Sequence, residues 1–107
     1  MERVDYKPLG SLIRVKGTTQ KFVIIARGVN LNINEKNYFF DYGCILYPDG
    51  FDGKDLAYVN DKDITEVVQL GYSDSDDNYI CEQINTKIGN DNILHSTAVN
   101  FVRDVKE

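Results

Sequence analysis

The sequence predicts a small α+β protein in which an antiparallel sheet of about four or five strands precedes one or two C-terminal helices. Short segments rich in β-branched and aromatic residues recur as far as Tyr72, and turns containing Gly, Pro, Asn or Asp separate them. After Ser73 the apolar residues recur with helical spacing instead. The sheet is expected to be a small barrel, of which an SH3-like arrangement is one form, or a strongly bent meander.

Length and composition indicate one domain. The 107 residues are predicted to form a single unit, with a β core at about residues 8–72 and a helical part at about 74–106. Hydrophobic residues make up 42% of the chain, which argues against disorder. The longest apolar run, Phe22–Ala26, is far shorter than the roughly 20 residues of a membrane helix. With no signal-peptide pattern at the N-terminus, the sequence predicts a cytoplasmic protein, and export by a signal-independent route stays open.

The first two strands are predicted to form a hairpin. In the segment 11–16, Ile13 and Val15 alternate with basic residues, which indicates a half-buried strand. Residues 21–29 are apolar on both faces through Phe22–Ala26, as in the centre of a sheet. The short connection between them, Gly17–Gln20, favours antiparallel pairing.

The third strand is predicted at residues 38–47. The Asn-rich stretch 30–37 before it is expected to be a loop at a hairpin tip. Gly43 in the middle of the strand indicates a bulge or a bend. Pro48, Asp49 and Gly50 end the strand with strong turn chemistry.

The remaining β part is shorter and more polar. We expect a loop at 51–57, a short strand at 58–60, one helical turn at 60–64 capped by Asn60, and a final strand at 66–72. The strands between Leu12 and Tyr72 are then expected to close on themselves around a dry interior that leaves no room for chemistry.

Two helical segments are predicted after the strands. A hydroxyl and acidic residues in Ser73–Asp77 indicate a helix N-terminus, and Gly89 marks its end. Ile80, Ile84 and Ile88 form an apolar stripe along this helix. The second segment has five apolar residues on one helical face: Leu94, Ala98, Phe101, Val102 and Val105.

Charge is unevenly distributed along the chain. The net charge is −5, yet residues 1–40 hold seven basic and three acidic residues, and residues 41–107 hold five basic and fourteen acidic ones. Because an acidic protein repels a phosphate backbone, general nucleic-acid binding is unfavourable. We expect the basic half to pair with the acidic half in the folded state, with a local basic patch at Arg14, Lys16 and Lys21 as the alternative.

No catalytic, cofactor-binding or metal-ligating constellation is recognisable. Cys44 and Cys81 are 37 positions apart without a Cys or His close by, so we interpret them as buried free thiols that act as apolar residues, with a disulfide as the alternative. The single histidine, His95, has no nucleophile motif around it. We therefore predict no cofactor and no enzymatic activity, although catalytic carboxylates need no local motif.

Three other patterns invite a functional interpretation. Asp74-x-Asp76-x-Asn78 begins like a calcium loop but lacks its later ligands, so a helix cap is the better interpretation. Gly50–Gly53 has the spacing of a nucleic-acid-clamping loop, but it lies between strands and contains an Asp, which favours ordinary turn glycines. Tyr38, Phe40 and Tyr42 share one strand face and are either core or an exposed platform for stacking bases. We favour core because so small a domain needs these rings inside.

The order of these motifs resembles a bacterial family known as domain of unknown function 4176. The resemblance spans about residues 6–85 and rests on the order of five segments: Pro8–Ser11 with Lys16-Gly17, Phe22–Gly28, Phe40–Tyr42 leading into Leu46–Gly50, Asn60–Ile64, and Glu66–Val67 with Gly71–Tyr72. That family occurs in Gram-positive bacteria, often beside genes for type VII secretion and LXG-type toxins. The resemblance implies a cytosolic effector chaperone, adaptor or targeting factor, and it carries over no catalytic residue.

The expected function is therefore a non-enzymatic protein-binding module whose partner is a secreted toxin or a secretion component. A sheet edge or the C-terminal apolar face is the expected contact surface, unless that face only covers the sheet. Neither membrane insertion nor nucleic-acid binding is expected, and a homo-oligomer stays open. The main alternative is an immunity protein that blocks a toxin domain with an acidic surface composed of Asp49, Asp52, Asp55, Asp61 and Asp63. A further alternative, less favoured by the net charge, is a small nucleic-acid-binding barrel that uses the basic patch of the first hairpin.

Overall fold

The computed structural model describes residues 3–91 and 101–104, with side chains described for residues 3–87. These residues form six strands, one 3-10 turn and one α-helix. In chain order the elements are β1 (Leu12–Val15), β2 (Lys21–Ile33), β3 (Lys36–Tyr47), β4 (Asp55–Val59), the 3-10 turn Asp61–Asp63, β5 (Ile64–Gln69), α1 (Ser75–Asp91) and β6 (Phe101–Asp104).

The strands form one antiparallel sheet in the order β5-β1-β2-β3-β4-β6. Strands β1 to β4 follow one another as a meander, and β5 returns to pair with β1. Among the described residues no pairing joins β5 to the far side of the sheet, so β5 and β6 are the two edges. This confirms the α+β class and the bent meander. The expected closure into a barrel is wrong, because the sheet ends in two separate edges.

The bend lies where β2 and β3 cross the centre of the sheet. Ile24 pairs with Cys44 and Ala26 pairs with Gly43, so Ile25 is an extra residue in β2. Such a bulge locally bends and twists a strand. A Cβ atom on Gly43 would lie 3.3 Å from the Cβ of Ala26, which leaves little space for a side chain there. The prediction of a bend at Gly43 is confirmed, although the inserted residue belongs to the partner strand.

The hairpin between β2 and β3 is longer than predicted. Its turn consists of Asn34 and Glu35, whose φ angles are +53° and +67°. Positive φ at both residues characterises the two-residue turns that match the twist of a hairpin. The prediction of a loop at 30–37 is wrong, because Leu31 and Ile33 alternate with Asn residues and are half-buried in β2. This alternation outweighs the low β-propensity of Asn.

The segment around the 3-10 turn also departs from the sequence interpretation. Strand β4 begins at Asp55, inside the predicted loop. The turn Asp61–Asp63 is confirmed, but the side chain of Asn60 does not cap it. Instead the Asp41 N–H donates to Asn60 Oδ1 at 3.1 Å. Asn60 is 1% exposed, so its amide links β3 to the end of β4 within the core.

The core is formed by side chains of the N-terminal segment and of β1–β4, with α1 packed against them. The prediction that the aromatic row of β3 is core is confirmed, since Phe40 and Tyr42 are buried and Tyr38 is half-buried. Both cysteines are free thiols, and Cys44 is buried as expected, whereas Cys81 is only half-buried. The central cluster of buried apolar residues consists of Tyr6, Ile13, Val15, Phe22, Ile24, Phe39, Tyr42, Cys44, Ala57 and Val59.

Helix α1 begins at Ser75, immediately after an aspartate that caps it. Asp74 Oδ1 accepts hydrogen bonds from the backbone N–H groups of Asp76 at 3.0 Å and Asp77 at 3.1 Å. This confirms the helix-cap interpretation of the acidic run. The helix continues to Asp91, past the predicted end at Gly89.

The helix face that meets the core differs from the predicted stripe. Ile84 and Cys81 pack against the core and Asn85 is buried. Ile80 is 46% exposed, so it does not belong to the buried face. The side chain of Ile88 lies outside the described ones.

The second predicted helix is wrong over its described part. Phe101–Asp104 form β6, which pairs antiparallel with β4. Phe101 and Val102 therefore belong to an edge strand rather than to a helical face. Leu94, His95, Ala98 and Val105 lie outside the described residues.

Candidate functional site

The N-terminal segment, residues 3–8, lies between the sheet and α1 and is bonded to the helix. The backbone N–H of Val4 donates to Asn85 Oδ1 at 2.8 Å, and Asn85 Nδ2 donates to the carbonyl of Val4 at 2.9 Å. Arg3 and Glu82 form an exposed ion pair beside them. One buried amide thus holds both backbone groups of Val4 in place.

The same segment is bonded to the sheet through its next two residues. The Tyr6 hydroxyl donates to Asp41 Oδ1 at 3.1 Å, and the ring lies edge-on to Tyr42 with centroids 5.7 Å apart. The backbone N–H of Lys7 donates to the Tyr42 hydroxyl at 2.9 Å, and Lys7 Nζ lies 3.0 Å from Asp61 Oδ1. Residues 3–8 therefore connect the helix to the sheet.

Two tyrosines and two aspartates form a buried network beneath this segment. The Tyr42 hydroxyl donates to Asp61 Oδ1 at 2.5 Å, and the Asp61 N–H donates to Asp41 Oδ2 at 2.8 Å. Burial, reinforced by the neighbouring carboxylates, raises the pKa of both Tyr6 and Tyr42 far above the usual range. Donors of this chain occupy these carboxylate oxygens, so we assign the network a structural role.

Arg27 connects three parts of the fold. Its guanidinium Nη1 lies 2.5 Å from Asp77 Oδ1 and donates to Cys81 Sγ at 3.3 Å and to the carbonyl of Lys7 at 3.4 Å. Burial raises the pKa of the Cys81 thiol, and the nearby Arg27 partly opposes this increase. Arg27 fixes the first turns of α1 over β2. The next residue, Gly28, has a φ of +64° and lets the side chain of Ile84 approach its Cα.

An open groove of about 1090 Å³ lies where these parts meet the edge of the sheet. Residues 67–70 of β5 and its end form one wall, residues 3–8 form the floor, and one side of α1 forms the other wall. Ser73 and Asn78 line the groove near the start of the helix. The side chains of α1 that line it further along are Asp77, Cys81, Glu82 and Asn85.

The edge of β5 borders this groove. Four consecutive residues, 67–70, line it, although alternate residues of a strand point to opposite faces. This alternation is interrupted here, because Val68 is an extra residue between the pairs Ile13–Val67 and Leu12–Gln69, and Leu70 lies one residue beyond the strand. In the described part of the chain β5 pairs only with β1, so the backbone groups on its outer edge have no strand partner. Val68 and Leu70 are 40% and 60% exposed there.

The wall formed by β5 is fixed at its far end. The backbone N–H of Gly71 donates to Ser11 Oγ at 2.9 Å, and Ser11 is fully buried. A Cβ atom on Gly71 would lie 2.1 Å from the carbonyl oxygen of Leu9. Only a residue without a side chain fits this close approach, so the glycine sets where β5 leaves the sheet.

One carboxylate that lines the groove belongs to none of the ion pairs between the described residues. Each ion pair between described residues joins a cation from residues 1–40 to an acid from residues 41–107, which confirms the expected pairing of the two halves. In the groove these pairs neutralise Arg3 with Glu82, Lys7 with Asp61 and Asp77 with Arg27. Asp5 is exposed on the floor and belongs to none of them.

The acidic surface proposed for an immunity protein is not one exposed surface. Asp63 is 1% exposed and lies 3.1 Å from Lys16 Nζ, and Asp61 takes part in the tyrosine network. The backbone N–H groups of Asp55 and Lys54 donate to the carboxylate of Asp52 and lower its pKa.

The cations of the predicted basic patch also have partners within the fold. Arg14 Nε lies 3.1 Å from Glu66 Oε1, and Lys16 pairs with Asp63. Lys21 Nζ lies 5.6 Å from the centroid of the Tyr47 ring.

None of the five residues predicted as the contact surface lines the groove as it is described. Phe101 and Val102 lie in β6 at the opposite edge of the sheet, and Leu94, Ala98 and Val105 fall outside the described residues. Sequence reasoning missed the groove because its walls come from three separated segments. The one local signal is the run Val67–Leu70, where two adjacent valines break the alternation expected of a strand with one exposed face.

Over residues 3–91 and 101–104, no group of three or more His, Cys, Asp or Glu side chains is arranged to hold a metal ion. The helix found in this part of the chain lacks the length and apolar character needed to cross a bilayer.

These features define a small α+β protein built on an open, bent antiparallel sheet with one helix packed beside its N-terminal segment. A family model described as a domain of unknown function (DUF4176) matches residues 6–80, well over half of the chain, and the chain belongs to that family. The match includes β1–β5 and the first turns of α1, which confirms the resemblance seen in the sequence. No curated protein and no solved structure matches the chain.

Proposed function

We propose that the protein is a non-enzymatic, cytoplasmic protein-binding module that serves a Gram-positive type VII secretion system as an effector chaperone, adaptor or targeting factor. The observation that carries this proposal is the outer edge of β5, which has no strand partner among residues 3–91 and 101–104 and lies beside an open groove. An exposed strand edge can pair with another chain, and native proteins either use such an edge for recognition or protect it, for example with bulges like those at Thr65 and Val68 of β5. The exposed Val68 and Leu70 give it the apolar surface that a partner requires.

The rigidity of the groove supports a binding role. Asn85 fixes the floor to the helix, Arg27 fixes the helix to β2, and Ser11 fixes the end of β5. Binding to a preformed surface costs less conformational entropy than binding to a mobile one. The groove is therefore organised before a partner arrives.

The type of partner follows from the family. In the family that this chain resembles, genes often lie beside those for LXG-type toxins. A secreted toxin of this type, or a component of the secretion machine, is the proposed partner. The role is then to hold or deliver that protein before export.

Co-expression of the full chain with the LXG-type toxin encoded beside it tests this function. We expect a complex that survives size-exclusion chromatography, and reduced toxin export when the gene for this chain is deleted. Export should recover on complementation with the unaltered gene. Normal folding and normal export of the toxin in the deletion strain would contradict the proposal.

A further inference from the structure

We propose that the groove binds an extended segment of the partner protein, which adds to β5 as a further strand and places a basic residue against Asp5. This inference rests on the proposed function and specifies how that site is used. Three features of the described residues lie together: the edge of β5 that has no strand partner there, the exposed apolar side chains of Val68 and of Leu70 just after the strand, and the carboxylate of Asp5, which belongs to none of the ion pairs between these residues.

The backbone of β5 favours an extended occupant over a helical one. A strand edge presents alternating N–H and C=O groups that another strand can pair with. A helix uses these groups internally and would leave those of β5 without partners. Residues 67–70 border the groove, and at about 3.3 Å per residue they offer a docking length of about 13 Å. That length corresponds to a short segment of chain.

Two exposed apolar side chains lie at the end of β5. Val68 and Leu70 are both exposed, and both border the groove. Val68 is the extra residue of a bulge, since Ile13 pairs with Val67 and Leu12 with Gln69, and Leu70 directly follows the strand. An occupant with apolar residues on the side that faces them fits this arrangement.

The charges of the groove determine whether the charged residue of the bound segment is basic or acidic. Arg3, Lys7, Asp77 and Glu82 are neutralised by ion pairs within the chain. The carboxylate of Asp5 remains exposed on the floor, outside these pairs. A Lys or Arg in the occupant compensates this charge, whereas an acidic residue is repelled by it.

The size of the groove fits a segment and not a folded domain. Its volume of about 1090 Å³ is slightly above that of small-ligand sites, which hold roughly 300–1,000 Å³. A volume of this size holds a short stretch of a partner and not a folded domain. The rest of the partner would lie outside.

Fluorescent peptides test the inference on the full chain. The probe is an eight-residue peptide of alternating Thr and Val with one central Lys, and its matched control has Glu in place of Lys. We expect the Lys peptide to bind at least about tenfold more tightly in an anisotropy titration. N-methylation of alternate backbone nitrogens on one edge of the Lys peptide should abolish binding, because it removes the donors that pair with β5.

Two pairs of variants test separately the contact with the edge of β5 and the contact with the charge of Asp5. Val68→Lys should abolish binding of the Lys peptide, whereas Ile25→Lys, at a residue with similar exposure outside the groove, should not change it. Asp5→Asn should weaken binding several-fold and reduce the preference for Lys over Glu. Glu35→Gln removes one exposed carboxylate at the hairpin tip and should have no effect.

Three outcomes would overturn the inference: no measurable binding of either peptide, equal effects of the groove and control variants, or tighter binding of a stapled helical peptide with the same Lys. Self-association of the chain that Val68→Lys removes would also overturn it, since β5 would then pair with a second copy. In each case the toxin complex can still form with unaltered affinity. The proposed function would then stand while its mode of binding is rejected.

Discussion

Arg27 of β2 and Asp77 of α1 form an ion pair with 2.5 Å between Nη1 and Oδ1, and their side chains are only 5% and 13% exposed. The same guanidinium contacts Lys7 and Cys81, so the sheet, the N-terminal segment and the helix meet at one buried charge. Removal of one partner leaves the other charge without compensation in a poorly solvated place. The pair therefore governs how firmly the helix is attached beside the groove.

Replacement of Arg27 by Met should lower the free energy of unfolding by about 3 kcal/mol, because the buried carboxylate of Asp77 loses its counter-ion. Urea denaturation followed by circular dichroism measures the loss. The double variant Arg27→Met with Asp77→Leu should recover a large part of it. If the two single losses simply add in the double variant, the pair contributes no coupling and the assigned role is wrong.

The free energy of unfolding should decrease as the pH rises above about 9. Burial raises the pKa of Cys44 to about 12 and raises the pKa of Tyr6 and Tyr42 above their usual value near 10. Between the unfolded and the folded pKa values, only the unfolded state has lost these protons. The stabilisation is thus complete below about pH 8 and is lost as pH rises, by about 1.4 kcal/mol per pH unit for each group.

Urea midpoints at pH 7, 9, 10 and 11 measure this dependence. The variant Cys44→Val should reduce the component that begins near pH 9, leaving the part that comes from Cys81, and should keep the tyrosine component near pH 10. A stability that stays constant up to pH 11 would contradict the burial of these hydroxyl and thiol groups.

Gly28→Ala should destabilise the fold more than Gly50→Ala does. Both glycines have positive φ, at +64° and +79°, so each substitution strains the backbone by roughly 1–2 kcal/mol. A Cβ on Gly28 additionally lies 3.0 Å from Ile84 Cγ2, whereas nothing lies within 4 Å of a Cβ on Gly50. The difference between the thermal unfolding midpoints of the two variants measures the effect of the contact between residue 28 and the helix. Equal shifts in midpoint would show that α1 does not pack on Gly28 in solution.

Glu35→Gly should stabilise the protein by about 0.5–1 kcal/mol. Glu35 has a φ of +67° in the two-residue turn, and Asn-Gly is the sequence that such a turn prefers. Lys36→Gly, one position further on in β3, should instead destabilise the protein, since glycine weakens a strand. Chemical denaturation of both variants gives opposite signs if the turn has this geometry.

The sequence was informative wherever a local pattern decides the structure. The alternation at Ile13 and Val15 predicted β1, and the acidic run before α1 predicted the start of the helix. The loop expected at 30–37 failed because apolar residues between the asparagines extend the hairpin. The helix expected around Phe101 failed because its apolar spacing is compatible with more than one element, and pairing with β4 decides between them.

The groove could not be predicted in the same way. Its floor, residues 3–8, carries no secondary-structure pattern, and its walls are about 60 to 80 residues further along the chain. The uneven charge distribution did predict that the two halves pair, yet it does not identify Asp77 as the partner of Arg27. Which acid pairs with Arg27 depends on the rotation of α1 about its own axis. This rotation brings Cys81 and Ile84 to the core and leaves Ile80 exposed.

The floor and the two walls of the groove come from three separate segments, and this determines when during folding the protein can bind a partner. During synthesis the N-terminal segment emerges first, but β5 and α1 complete the site only after residue 85 has left the ribosome. Strand β5 must also find β1 across some 50 intervening residues, a long-range step that slows folding. A nascent or partly unfolded chain therefore has no docking surface, so a partner engages only molecules that have finished folding.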